Sequence, residues 1–205
     1  DPTLDELAKV LSRSIEADGS VSDDASPTLR GVRRRVGEVR RELGTRLSQL
    51  MRRYSEVLRD EYWTEHDGRF VLPVRSDAHL KVSGIVLGSS ASGATLYVEP
   101  EEVTALGNRL KVAEAEVERE VARVLAERAA VGCFLGSFTE ALGWGQESLA
   151  LYQDLGDRNQ LPNTHLILAT TLLHLGDWEG CRAHAEQAMA FLAWNEEQLY
   201  ALWAK

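Results

Sequence analysis

Leucine and valine recur every three or four residues through two long stretches of the chain. This spacing keeps apolar side chains on one face of a helix, so it predicts an amphipathic helix over residues 27–59 and a second one that follows Pro100 and carries its apolar stripe to Val124. Ser26 followed by Pro27 is typical of a helix N-terminus. The two apolar stripes consist of Leu29, Val32, Val36, Val39, Leu43, Leu47, Leu50, Tyr54 and Leu58, and of Val103, Leu106, Leu110, Ala113, Val117, Val121 and Val124. Because the stripes share one rhythm, we expect an antiparallel coiled coil.

Between these helices the pattern is typical of short strands. Residues 62–64 and 69–74 flank the turn His66-Asp67-Gly68 and predict a β-hairpin. Residues 82–87 and 94–98 predict two further strands around a Ser/Gly loop. We therefore expect a small antiparallel sheet of three or four strands, inserted over residues 62–98 at the tip of the coiled coil.

The two ends of the chain have different sequence patterns from this central part. Residues 3–17 predict a short helix, and residues 18–25 a polar loop. After residue 132, a glycine-polar-aromatic turn occurs twice, 40 residues apart, and each turn opens a helix with a small residue three places on. Helices are expected at residues 138–155, 161–175, 178–192 and 195–204. The predicted fold class is mainly α with a small antiparallel sheet, in two domains of residues 1–130 and 131–205.

Charge is distributed unevenly along the chain of 205 residues, whose formal net charge is −9. Residues 27–60 contain ten arginines and four carboxylates, a charge of +6, which leaves −15 for the remainder. This asymmetry is an electrostatic indication of an anionic partner for the first long helix. The candidate nucleic-acid-binding residues are Arg33, Arg34, Arg40, Arg41, Arg52, Arg53, Arg75 and Lys81. The alternative is a solvated flank, partly paired with the acidic second helix.

The sequence contains no clear pattern of residues for catalysis or metal binding. The Ser/Gly loop at residues 88–93 is followed by a strand and has no Lys-Ser/Thr pair, so a flexible turn is favoured over a phosphate cradle. No histidine has a metal-ligand spacing, and Cys133 and Cys181 lie far apart, which favours a reduced cytosolic compartment. The charge run Glu114, Glu116, Glu118 and Glu120 is expected to form a solvated face. No apolar run is long enough to span a membrane, and we expect a cytoplasmic protein.

Four stretches in order carry a resemblance to a known family. They are residues 18–27, residues 68–75, the run GIVLGSSASGATLYVEP at residues 84–100, and the acidic helix from Leu106. Residues 4–127 thereby resemble the lever and clamp region of the second bacterial MutS family, the Smr-bearing paralogue of mismatch-repair MutS. Residues 132–205 resemble an incomplete tetratricopeptide repeat, which implies a protein partner.

The MutS resemblance implies a nucleic-acid-gripping clamp. The intact family is a homodimeric ATPase, with ATP and Mg as cofactors and a nuclease-like domain, that acts on branched DNA in recombination and repair or on ribosomal RNA in collided-ribosome rescue. The chain has no Walker-type motif and no Smr segment, and it begins at Asp1-Pro2 without an initiator Met, as an excised fragment would. We therefore expect a chain that is not itself an enzyme and holds no cofactor. A helical protein-interaction module without a nucleic-acid role is the alternative.

Overall fold

A computed structural model describes residues 15–16 and 19–203 of the chain, with side chains in the last helix described through Phe191 and at Ala193. The fold class is confirmed: in the described part, five α-helices accompany one four-stranded antiparallel sheet. By compactness the chain divides into a sheet unit, residues 32–114, and a helical unit, residues 1–31 with 115–205. The predicted boundary near residue 130, which rests on sequence character, stays a prediction.

Helix α1, Pro27–Arg53, begins where the sequence predicts. Ser26 is its N-cap, because the Ser26 hydroxyl accepts hydrogen bonds from the amides of Thr28 at 3.1 Å and Leu29 at 3.3 Å. The helix ends six residues before the predicted residue 59. Its apolar stripe continues to Leu58, but Leu58 pairs with Val74 of the sheet, and strand pairing there replaces the helix.

Helix α2, Glu101–Leu135, begins directly after the sheet, where the sequence predicts, and continues past Val124, the last residue of its predicted stripe. Val103, Leu110, Ala113 and Val124 of its predicted stripe are buried. The helix passes through Gly132 and ends at Leu135, just before Gly136, which adopts a positive φ of 81°. The knobs-into-holes packing of a coiled coil stays a prediction.

The sheet consists of β1 (Thr64–His66), β2 (Arg69–Arg75), β3 (Gly84–Ser89) and β4 (Thr95–Pro100), in the order β1-β2-β4-β3. Asp67 and Gly68 both have positive φ and make the tight turn that the sequence predicts between β1 and β2. One face of the sheet packs on α1 and α2 in the core of the sheet unit. The buried members of that core include Leu43, Leu47, Leu50, Leu72, Val74, Val98, Val103 and Leu110.

In the helical unit, the C-terminal part of α2 is followed by α3 (Phe138–Asp154), α4 (Leu161–Leu175) and α5 (Trp178–Trp203). The bounds of α3 and α4 agree with the predicted bounds within one residue. The predicted break at residues 192–195 is wrong, since one helix runs through both predicted segments; no glycine or proline lies there to end it. The N-terminal helix predicted over residues 3–17 lies outside the described residues except at Ile15 and Glu16, where Ile15 pairs with Val21 as a strand residue instead.

Candidate functional site

Two arginines of α1 lie on its outer face. Arg41 and Arg52 are both exposed, and they are eleven residues apart, close to three full turns, so they share one side of the helix about 16 Å apart. The buried Leu43 and Leu50 lie on the opposite side. Within the part of the chain that the structure describes, neither Arg41 nor Arg52 has a carboxylate partner. Both charges are therefore available to an anion.

Other candidate arginines of α1 are held by carboxylates. Arg40 pairs with Glu114 at 2.5 Å, and Arg53 pairs with Glu102 at 2.7 Å, on the two flanks of the buried stripe. Arg34, in line with Arg41, has Glu38 at 3.7 Å. These pairs are largely exposed, so each contributes little to stability, but each lowers the charge that an approaching phosphate meets.

The remaining candidates lie elsewhere. Arg33 is half-buried on the same flank as Arg40. Arg75 ends β2 with Asp77 at 3.4 Å, and Lys81 is exposed in the turn that follows. The structure therefore does not bring the eight predicted residues to one surface. It groups Arg34, Arg41 and Arg52 along one line of α1 and separates them from the flanking and sheet residues.

Two exposed cations of the sheet unit were not predicted. Arg59 follows α1, and its amide donates to the carbonyl of Pro73 at 2.8 Å. Lys111 lies on α2, and a Cβ placed on Gly68 would be 2.8 Å from its Nζ, so its ammonium lies over the β1–β2 turn. The position of Lys111 could not be inferred from its own helix, because the surrounding sequence is acidic and the contact joins residues far apart in the chain.

The Ser/Gly loop is an ordinary tight turn. Its polar groups are used internally: the Ser90 amide donates to the Thr95 carbonyl at 2.9 Å, and the Thr95 amide donates to the Ser90 hydroxyl at 3.2 Å. Gly93 takes a positive φ of 69° that closes the turn. These contacts favour the predicted turn over a phosphate cradle.

Glu120 departs from the predicted solvated face. Its side chain is buried in the helical unit, where it accepts hydrogen bonds from the Ser26 hydroxyl at 2.6 Å and from Arg123 at 2.7 and 2.9 Å. The hydrogen bonds from Arg123, with a further contribution from Ser26, hold the pKa of the Glu120 carboxyl below its ordinary value, against the opposing effect of burial. The expectation of a solvated face is therefore wrong at this position.

Two histidines of the helical unit meet. The Nδ1 atoms of His165 and His184 are 2.8 Å apart, and burial lowers the pKa of both imidazoles. Among the described residues, no three histidine, cysteine or acidic side chains come together in a geometry that could hold a metal ion. None of the described helices is both long enough and apolar enough to cross a membrane.

Comparison with curated proteins supports a MutS2-family region in this chain. The chain is 38% identical over 161 residues to endonuclease MutS2 of Thermus thermophilus, which covers 76% of the chain and 21% of that protein. It is 44% identical over 115 residues to endonuclease MutS2 of Thermomicrobium roseum, covering 56% and 14%, and 36% identical over 125 residues to that of Lacticaseibacillus paracasei, covering 60% and 16%. The chain thus spans about one fifth or less of the length of these relatives. No protein-family model matches it.

Proposed function

We propose that the sheet unit is a nucleic-acid-gripping clamp segment of a MutS-like protein and that the outer face of α1 contacts the phosphate backbone. The observation that carries this proposal is the pair Arg41 and Arg52, exposed on one line of the helix without carboxylate partners among the described residues. Arg34 continues the same line, although Glu38 competes for it. Phosphate contacts of this kind fix the position of the protein on the nucleic acid and do not read the base sequence.

The charge balance of the whole chain supports a local contact over general affinity for polyanions. A net charge of −9 repels nucleic acid at long range, so the arginines act only where a partner already lies along α1. In a longer MutS-like protein, other parts of the molecule would bring the nucleic acid to α1. Following the resemblance, we further propose that the partner is DNA in recombination or repair, or ribosomal RNA in the rescue of collided ribosomes. ATP hydrolysis and dimerisation would belong to other segments of the longer protein.

The test uses two matched double variants. We expect the chain to bind branched DNA or structured RNA at low salt, with Arg41→Gln/Arg52→Gln weakening the binding and Arg40→Gln/Arg53→Gln changing it less, because Glu114 and Glu102 already neutralise the latter pair. Fluorescence anisotropy against salt concentration gives the affinity and its slope. Equal effects of the two double variants would contradict the assignment of the outer face.

A second candidate function, protein–protein interaction through the helical unit, rests on its exposed apolar side chains. Phe134 is 90% exposed and Trp178 71% exposed. A cavity of about 460 Å³ beside Phe134 is lined mostly by apolar groups of α2 and α4. Exposed apolar patches of this kind mark interaction sites in soluble proteins. Absence of nucleic-acid binding at low salt would favour this function.

A further inference from the structure

A cavity of about 510 Å³ lies in the sheet unit, where the β1–β2 turn meets α1 and α2. This volume falls within the range of about 300–1,000 Å³ that is usual for small-molecule sites in proteins. The cavity lies against the flank of α1 that bears Arg40 and reaches its buried side, because Leu43 and Gly44 line it as well.

One wall of the cavity is aromatic. Trp63 lines it and is 40% exposed, so part of its ring is open to an incoming group. The Trp63 ring meets Phe70 edge-on, with centroids 5.7 Å apart and ring planes at 63°, a contact that holds its orientation. An oriented and partly exposed indole is the kind of surface on which bases of single-stranded nucleic acids stack.

The polar groups of the cavity balance in charge. Arg40 and Glu114 form an ion pair, and Lys111, one turn of α2 before Glu114, lies over Gly68 near Glu65. Two carboxylates would oppose a phosphate in this space. A heterocycle whose edge has both donors and acceptors can instead donate to a carboxylate and accept from the lysine. The lining thus fits a nucleobase better than a phosphate.

The geometry points to a pocket for one unpaired nucleobase of a single-stranded segment, stacked on Trp63 with its edge hydrogen-bonded by Lys111 and Glu65. This inference deepens the proposed function and rests on it, since both assign nucleic acid as the ligand of the sheet unit. It makes single-stranded or unpaired nucleic acid, rather than uniform duplex, the preferred substrate of the sheet unit.

The test compares a labelled 12-nucleotide single strand with an abasic backbone of the same length and charge, by fluorescence anisotropy. We expect the strand with bases to bind the chain about tenfold more tightly, because stacking on an aromatic side chain is worth about 5- to 150-fold in affinity per base. Trp63→Ala removes this preference, and Trp178→Ala, which truncates an exposed tryptophan outside the cavity, retains it. Should Trp63→Ala fail to fold by circular dichroism, Lys111→Ala at an exposed position tests the hydrogen bond to the edge of the base.

The outcomes separate this inference from the proposed function. Equal, salt-sensitive binding of the two strands overturns the pocket and leaves the phosphate contacts of Arg41 and Arg52 in place. If neither strand nor branched DNA binds at low salt, the proposed function fails, and binding of free adenosine or cytidine by nuclear magnetic resonance then decides the pocket alone. Retention of the base preference in both Trp63→Ala and Lys111→Ala would also overturn it.

Discussion

Removal of the Ser26 hydroxyl should destabilise the chain well beyond an ordinary surface substitution. This hydroxyl caps α1 by accepting from two amides and also donates to the buried Glu120 at 2.6 Å. Loss of a serine cap costs about 1 kcal/mol, and loss of a hydrogen bond to a buried charged group costs about 1.5–3 kcal/mol. Because Arg123 still pairs with Glu120, we take the lower end of the second figure. Ser26→Ala should therefore lower the free energy of unfolding by about 2–3 kcal/mol.

The chain offers a matched control for this substitution. Ser137 holds the same position before α3, but its side chain makes no capping hydrogen bond, so Ser137→Ala should stay within about 0.5 kcal/mol of the parent chain. Urea unfolding followed by far-ultraviolet circular dichroism at pH 7 measures both variants. If Ser26→Ala costs no more than Ser137→Ala, the contact between the cap and Glu120 does not contribute as argued.

The pH dependence gives a second readout of the same contact. The pKa of Glu120 is lowered in the folded chain, so its stabilising effect is complete above the ordinary value of about 4.5 and is lost as the pH falls below it. The difference between the parent chain and Ser26→Ala should then narrow below pH 4.5 toward the cost of the cap alone. A difference that stays constant from pH 7 to pH 3 would contradict the assigned role of the carboxylate.

Two further predictions concern packing and a buried charge. Gly145→Ala should destabilise the chain by about 1–3 kcal/mol, because the new Cβ would lie 2.8 Å from Leu168 Cδ2, whereas Gly143→Ala on the same helix meets nothing within 4 Å and should stabilise it by up to about 1 kcal/mol. The melting temperatures of the two variants check the opposite signs of these changes. A shift in the same direction for both variants would contradict the packing of Gly145 against Leu168. Arg69→Ala leaves the Glu99 carboxylate, 3% exposed, without its pair at 3.3 Å and should lower the urea midpoint, an effect that Arg69→Ala combined with Glu99→Gln partly restores.

Local features of the fold could be predicted because short sequence spacings determine them. Ser26-Pro27 marks the start of α1, and Asp67-Gly68 supplies the two positive φ angles that the β1–β2 turn requires. The apolar stripe of α1 likewise identifies its buried face. The predicted end of α1 at residue 59 is wrong because Leu58 continues the helical spacing but pairs with Val74. The spacing within one segment gives no information on such a contact with a distant residue.

The candidate site could be predicted only in part for the same reason. The sequence predicts an arginine-rich helix, but the carboxylates that neutralise Arg40 and Arg53 come from α2, more than 45 residues away. A helical wheel separates Arg41 from the apolar stripe without telling which flanking arginines are paired. The acidic neighbours of Glu120 predict a solvated side chain, whereas its partner Ser26 lies 94 residues earlier in the chain, beyond the reach of a local pattern.

The salt dependence of binding to a branched DNA tests the central proposal most directly. Each phosphate neutralised on duplex DNA contributes about 0.9 to the slope of log affinity against log salt concentration. We expect Arg41→Gln/Arg52→Gln to reduce that slope by about 1.8, while Arg40→Gln/Arg53→Gln reduces it by much less. An unchanged slope for Arg41→Gln/Arg52→Gln, or no binding by the parent chain at low salt, would contradict a phosphate-gripping face on α1.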